Sequence, residues 1–184
     1  AGWTETLLQI LLNEGIPAYA ESRMGYFNTL EVETVLSMLA VIDNPMQDIP
    51  LAAVLKSPVV GMSDRELAKM MADYRSCADK GQDRGIYAAA VRWERLNGFF
   101  EKLEQFRLLA SYLPIHELIY RLYEETGYYD YVSVMPAGET RRANLDMLVE
   151  KASEYEKTSY KGLFHFIRYI ENLKKYNSDF GEAS

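Results

Sequence analysis

The chain has 184 residues, of which 48% are apolar and 26% are charged, and it carries a net charge of −7. These values predict a folded globular domain, and they argue against a disordered chain and against a self-sufficient nucleic-acid binder with a basic face. One cysteine and two histidines exclude an internal disulfide and a Cys/His zinc site, and they indicate a reducing compartment. No apolar run approaches the roughly 20 residues of a membrane span.

The first predicted element is a helix over residues 4–14 with leucines along one side. Gly15 is expected to end this helix, and residues 16–20 predict a short extended segment. Residues 21–25 follow as a polar loop. Because the chain starts at Ala1, without Met, and enters this pattern at once, we expect it to be a piece of a longer protein.

A second helix is predicted to start at Asn28, because Asn28 and Glu31 have the spacing of a capping box. Its apolar residues recur at helical intervals, and the break at residues 43–45 should end it because of its proline. The apolar stripe consists of Val32, Val35, Leu36, Leu39 and Ile42.

A short helix with Pro50 near its first position is predicted to begin at Asp48. Its end at residues 56–58 leads into a tight turn over residues 59–62. A second capping box at Ser63–Glu66 then opens a helix that should run to about Ala78. The glycines and alternating charges of the next residues predict a surface loop over 79–85.

In the second half, helices are predicted over residues 86–90 and 92–112, and from Pro114 to Gly127. Residues 128–131 are expected to form an exposed aromatic segment.

Two last helices should start near Glu139 and Ser159. The expected fold is mainly α, an irregular domain of about eight helices with at most one short β segment near residues 16–20.

No pattern in the sequence predicts a catalytic or metal site. A Gly-rich phosphate loop is absent, and His116 and His165 have no suitable nucleophile partner in the sequence. Glu31 and Glu33 are expected to lie on a solvated helix face, because closely spaced acids on a helix do not face each other. Cys77 is expected to be a small packing residue.

Three basic residues, Arg23, Lys56 and Arg65, fall in predicted turns. A turn with a glycine, a free backbone N–H and a neighbouring lysine can bind a phosphate without reading base sequence. An ordinary solvated surface explains the same residues, so both interpretations stay open at this point.

The order of turns in residues 13–63 resembles the region after motif IV in UvrD/Rep-type superfamily 1 DNA helicases. It is closer still to the AddA (RexA) proteins of the AddAB (RexAB) helicase–nucleases of Gram-positive bacteria. Residues 142–170 also resemble the end of the helical 2B insertion of that family. The matching positions in the first stretch are Gly15-Ile16-Pro17, Gly25-Tyr26-Phe27, Glu31-Val32, Asn44-Pro45, Asp48 and Gly61.

The resemblance implies that residues 1–22 end the second RecA-like (2A) region, residues 23–175 form the 2B-type insertion, and residues 176–184 begin the return to 2A. The parent protein would be an ATP-dependent 3′→5′ DNA helicase and exonuclease that uses ATP and Mg²⁺. It would act in double-strand-break repair and recombination in the bacterial cytoplasm, with an AddB/RexB-type second subunit. The fragment itself carries no ATPase or nuclease motif, so it is expected to be non-catalytic, without a cofactor or metal.

The resemblance also implies a contact with DNA, because in UvrD/Rep relatives the Gly-rich turn that matches residues 59–62 touches the duplex backbone. A basic residue usually precedes its glycine, whereas this chain has Val60 at that position. The candidate DNA contacts are Arg23, Tyr26, Lys56, Ser57, Gly61 and Arg65.

A function of another class is a stand-alone helical module for protein–protein interaction. The 14 tyrosines and the negative charge favour it, because a tyrosine can pack its ring and keep its hydroxyl in water. The sequence that flanks this chain in its parent would discriminate between the two functions.

Overall fold

The computed structural model describes residues 26–78, 85–158 and 162–181, with side chains as far as Lys175. Within these ranges the structure contains helices and no strands, which confirms the prediction of a mainly α domain. The extended segment predicted at residues 16–20 and the first predicted helix lie outside the described residues. The α-helices are α1 (Leu30–Asp43), α2 (Asp48–Lys56), α3 (Asp64–Cys77), α4 (Ile86–Ala90), α5 (Asn97–Ala110), α6 (Ile115–Thr126), α7 (Tyr128–Ser133), α8 (Gly138–Glu156) and α9 (Leu163–Gly181).

Helix α1 is the centre of the domain, and it packs against α2, α5, α8 and α9. Its predicted stripe faces the core: Val32, Val35 and Leu39 are fully buried. Leu51 of α2 and Phe166 of α9 are fully buried in the same cluster. Side chains from several helices thus meet around one apolar helix, which is how layers of helices bury their apolar stripes.

The start of α1 differs from the prediction. Asn28 belongs to a 3₁₀ turn (Tyr26–Asn28), and Thr29 is the N-cap residue without a side-chain capping bond. Glu31 is only 3% exposed and accepts hydrogen bonds from Arg141 (2.5 Å) and Asn144 (2.7 Å) of α8. The predicted capping box and the solvated position of Glu31 are therefore wrong, because the carboxylate ties α1 to α8 instead.

This pairing also sets the charge of Glu31. Burial alone would raise the pKa of Glu31. Hydrogen bonds from the Asn144 amide, from its own N–H and from Thr29 lower the pKa, and so does the charge of Arg141; together these effects outweigh burial. The side chain is therefore held as a carboxylate at neutral pH.

Gly127 closes α6 with a φ of 65°, a left-handed conformation that glycine adopts without steric cost, and this confirms the predicted helix end. The chain turns there directly into the short helix α7. Tyr128 and Val132 face inward one helical turn apart, and Tyr128 is only 3% exposed. The prediction of an exposed aromatic segment is wrong for Tyr128 and correct for Tyr131, which is 44% exposed.

The long helix predicted over residues 92–112 is broken. Trp93 has an extended backbone, with φ −93° and ψ 103°, and a 3₁₀ turn (Glu94–Leu96) precedes α5. The half-buried Trp93 packs against the core, and its N–H bonds to the Ala90 carbonyl at 3.0 Å. The apolar periodicity thus predicts the helix correctly from Asn97 onward but extends it too far toward the N-terminus. In α2, Pro50 is the third residue and not the first.

Candidate nucleic-acid interface

The turn between α2 and α3, together with the helix ends that flank it (residues 56–65), contains four of the six candidate DNA contacts: Lys56, Ser57, Gly61 and Arg65. Its conformation follows from Ser57 and Gly61. The Ser57 carbonyl accepts the N–H groups of Val60 (3.2 Å) and Gly61 (2.7 Å), and Gly61 takes a φ of 71° that L side chains rarely adopt. The capping box predicted at Ser63–Glu66 is present and opens α3.

The backbone of this turn is saturated with internal hydrogen bonds. Its N–H groups bond to carbonyls, to the Ser57 hydroxyl and to the Glu66 carboxylate, and the Ser57 hydroxyl itself is buried and donates to the Val54 carbonyl at 2.7 Å. The bonded N–H groups are those of Ser57, Val59, Val60, Gly61, Met62 and Ser63. The free N–H on which phosphate binding was predicted is therefore absent from residues 57–63.

Two basic side chains of the turn point to solvent. Lys56 forms an ion pair with Asp64, with Nζ 2.5 Å from Oδ1, and its side chain stays 46% exposed. The side chain of Arg65 is exposed and makes no hydrogen bond or ion pair with any residue that the structure describes. An exposed ion pair such as Lys56–Asp64 is weak, so a phosphate could compete with the carboxylate for the ammonium group.

A third base reaches the turn from another element. Arg95, in the 3₁₀ turn before α5, pairs with Glu66, and its Nη2 lies 3.4 Å from the Gly61 carbonyl. Sequence reasoning missed Arg95 because it lies 34 positions from Gly61 and no local pattern marks it. Val60, the residue before Gly61, is half-buried and packs against the core. Arg95 thus brings to Gly61 the positive charge that Val60 does not supply.

The other two candidates do not belong to this turn in the structure. Arg23 lies outside the described residues. The hydroxyl of Tyr26 donates to the Asn144 carbonyl at 2.8 Å, and Nζ of Lys151 lies 5.7 Å from the centre of its ring. Burial, together with the charges of Glu31 and Glu150, raises the pKa of Tyr26 well above its ordinary value of 10. Tyr26 is thus a neutral hydrogen-bond donor in the contact between α1 and α8.

Two carboxylates elsewhere bind the first residues of neighbouring helices. Glu156, at the end of α8, accepts the Ile115 N–H at 2.5 Å, and its other oxygen lies 2.5 Å from Nδ1 of His116, so it caps the start of α6. Asp48 accepts the N–H of Ile86, the first residue of α4, at 2.8 Å. Cys77 is exposed, so the expectation of a packing role is wrong.

Across the described residues, no group of three or more His, Cys, Asp or Glu side chains is arranged to hold a metal ion. Among the described helices, none combines the length and the apolar character needed to cross a membrane.

Comparison with known proteins gives matches along the whole chain, although no protein-family model matches it. The ATP-dependent helicase/nuclease AddA of Lachnoclostridium phytofermentans is 39% identical over 230 residues, which cover 100% of this chain and 17% of that protein. The proteins of the same name from Pelotomaculum thermopropionicum and Desulforudis audaxviator are 43% and 47% identical, covering 100% and 99% of this chain and 15% of their own length. The chain thus spans about one-sixth of the length of these curated relatives. It corresponds to one segment of the ATP-dependent helicase/nuclease family AddA, as the order of its turns predicted.

Proposed function

We propose that this chain is a non-catalytic accessory domain of an ATP-dependent DNA helicase and exonuclease. The observation that carries the proposal is the match of the whole chain, at 39–47% identity, to a small part of proteins named as helicase/nucleases. Among the described residues, Glu31, Asp48 and the pair Glu156–His116 are engaged in contacts between helices.

In this proposal residues 23–175 are the 2B-type insertion, and residues 1–22 and 176–184 belong to the 2A region on either side. The parent unwinds DNA in the 3′→5′ direction, degrades it, and holds ATP and Mg²⁺ in parts that this chain does not include. It works in double-strand-break repair in the bacterial cytoplasm with an AddB/RexB-type second subunit.

To test the accessory role, the purified chain is first checked for high helix content by circular dichroism, and its ATPase and nuclease activities are then measured with Mg²⁺ and duplex DNA. We expect neither activity from the folded chain. ATP hydrolysis or DNA cleavage that co-purifies with it through a final gel filtration would contradict the proposal.

Within the parent, the turn at residues 56–65 is proposed to rest against a DNA phosphate backbone. Lys56 and Arg65 are its exposed bases, and Arg95 adds a third charge beside Gly61. The N–H groups of residues 57–63 are occupied, so the charged side chains make the contact, which is ionic and carries no sequence information. Two or three neutralised phosphates correspond to a slope of about −2 to −3 for log K against log salt concentration.

The DNA contact is tested in the full-length protein by measuring duplex affinity over a range of salt concentrations. The double variant Lys56→Ala/Arg65→Ala is compared with Arg121→Ala/Lys157→Ala, which removes two exposed charges from α6 and the end of α8. The first should bind several-fold more weakly, with a salt slope smaller by about 2, and the control should match wild type. Equal salt slopes in wild type and both variants would contradict a contact between the turn and DNA.

A further inference from the structure

An open groove lies between the end of α5 and the outer side of α6, with a volume of about 720 Å³. We call it the α5–α6 groove. Two exposed tyrosines line it: Tyr112, in the link between the two helices, is 64% exposed, and Tyr120 of α6 is 52% exposed. Leu109 and Leu113, both half-buried, line it as well. Exposed tyrosine rings in a concave surface are typical of a binding site, because each offers a large apolar ring together with a polar hydroxyl.

Carboxylates outnumber bases among the residues that line the groove. The lining contains three glutamates, Glu117, Glu124 and Glu125, and one base, Arg121. Arg121 pairs with Glu124 at 3.8 Å, and Lys102 of α5 donates to the main-chain carbonyl of Glu125 at 3.2 Å. The carboxylates of Glu117 and Glu125 are exposed and make no hydrogen bond or ion pair with any residue that the structure describes. The groove therefore carries negative charge that the described part of the chain does not neutralise.

Tyrosine rings, leucines and carboxylates together match the chemistry of a long cationic side chain. The face of a tyrosine ring attracts a guanidinium or an ammonium group. A carboxylate pairs with the charged end, and arginine can bind it through two hydrogen bonds at once. The leucines offer apolar surface to the aliphatic stem. The same carboxylates repel phosphate, so this groove disfavours a nucleic-acid strand.

We infer that the α5–α6 groove binds an arginine-bearing segment of a separate protein. A second copy of this chain is a poor occupant, because each copy carries a net charge of −7 and the two repel each other. The same charge attracts a basic partner and speeds its encounter with the domain. Two sequence features that favour a protein–protein contact, the tyrosine content and the negative charge, thus meet at one surface. The inference does not use the proposed function, because it depends on the groove residues alone.

The test measures how a fluorescein-labelled peptide of alternating arginine and serine binds to the full-length protein, by fluorescence anisotropy. The charge variant is Glu117→Gln/Glu125→Gln. Its control, Glu139→Gln/Glu154→Gln, removes two exposed carboxylates of α8 that do not line the groove. We expect the charge variant to bind the peptide about threefold to tenfold more weakly than wild type, and the control to stay within about twofold of wild type. An unchanged affinity in the charge variant, or equal weakening in both variants, would overturn the inference.

A second pair of variants tests the aromatic rings. Tyr112→Leu/Tyr120→Leu keeps apolar surface in the groove and removes the ring faces, so the peptide should bind about threefold more weakly. The control is Tyr131→Leu/Tyr169→Leu, which changes two tyrosines outside the groove that are 44% and 42% exposed and should leave the affinity unchanged. Equal affinities in wild type and the groove variant would contradict binding over the tyrosines.

The remaining measurements identify the source of the occupant. Binding of the peptide by both the 184-residue chain and the full-length protein supports a separate partner, because the groove is then open in the parent. Binding by the chain alone would overturn the inference in favour of flanking polypeptide that fills the groove. Sedimentation of the full-length protein tests for a second copy, and dimers that are lost in the charge variant would also overturn the inference. None of these assays contains DNA or ATP, so failure here is distinct from failure of the proposed function.

Discussion

Replacing Arg141 with methionine removes the guanidinium that faces the buried carboxylate of Glu31. That carboxylate is 3% exposed, and it keeps the Asn144 amide at 2.7 Å as a partner in the variant. Removing one partner of a buried ion pair costs roughly 3–5 kcal/mol, because the other charge is left without compensation. The Arg141 side chain is 27% exposed, so water can partly replace it. We therefore expect a loss of about 2 kcal/mol in the free energy of unfolding, toward the low side of the effects seen for such changes.

The loss is measured by urea denaturation of the chain, followed by far-ultraviolet circular dichroism. A decrease of about 2 kcal/mol corresponds to a fall of about 4–8 °C in the thermal midpoint for a domain of this size. The matched control is Arg168→Met, because Arg168 is 62% exposed and pairs with Glu171 one helical turn away at 3.3 Å. That exposed pair should contribute less than about 0.5 kcal/mol.

A double-mutant cycle with Glu31→Gln separates the ion pair from general packing. The double variant should lose less stability than the sum of the losses in the two single variants, because no unpaired carboxylate remains. The difference, which is the coupling energy, should be about 1 kcal/mol or more. Two results would refute the reasoning. One is an effect of Arg141→Met no larger than that of Arg168→Met, and the other is strict additivity in the cycle.

Two further predictions concern the acid stability of the domain and its glycines. The pKa of Glu31 lies below its ordinary value of 4.5, so the stability from its charged form is complete above pH 4.5 and is lost as the pH falls through the lowered pKa. Glu31→Gln should therefore flatten the decrease of the unfolding free energy below pH 4.5, and an unchanged curve would contradict this account. Gly127→Ala should lower the free energy of unfolding by about 1 kcal/mol, because alanine is strained at the positive φ of 65°. The added Cβ itself would meet no atom within 4 Å. Gly98→Ala in α5, equally open but without a positive φ, should be neutral or stabilising in the same denaturation assay, and similar losses for both would refute the argument from φ.

The sequence predicted best the helices with strong apolar periodicity. The extent of α6 and its end at Gly127 were foreseen, because both depend on spacing within a dozen residues and on one local turn. The errors came from long-range contacts. Glu31 looked like a capping residue, yet its partner Arg141 is 110 positions away. The break at Trp93 likewise depends on packing of its ring against the core, which overrides helical periodicity.

In the candidate interface too, local features were predicted and long-range contacts were not. Local patterns predicted the capping box at Ser63–Glu66 and a turn around Gly61, because both arise from residues close in sequence. Whether the N–H groups of that turn are free depends on its three-dimensional hydrogen bonding, and spacing alone does not determine it. Arg95 escaped prediction because only the packing of the 3₁₀ turn before α5 against the start of α3 brings it to Gly61.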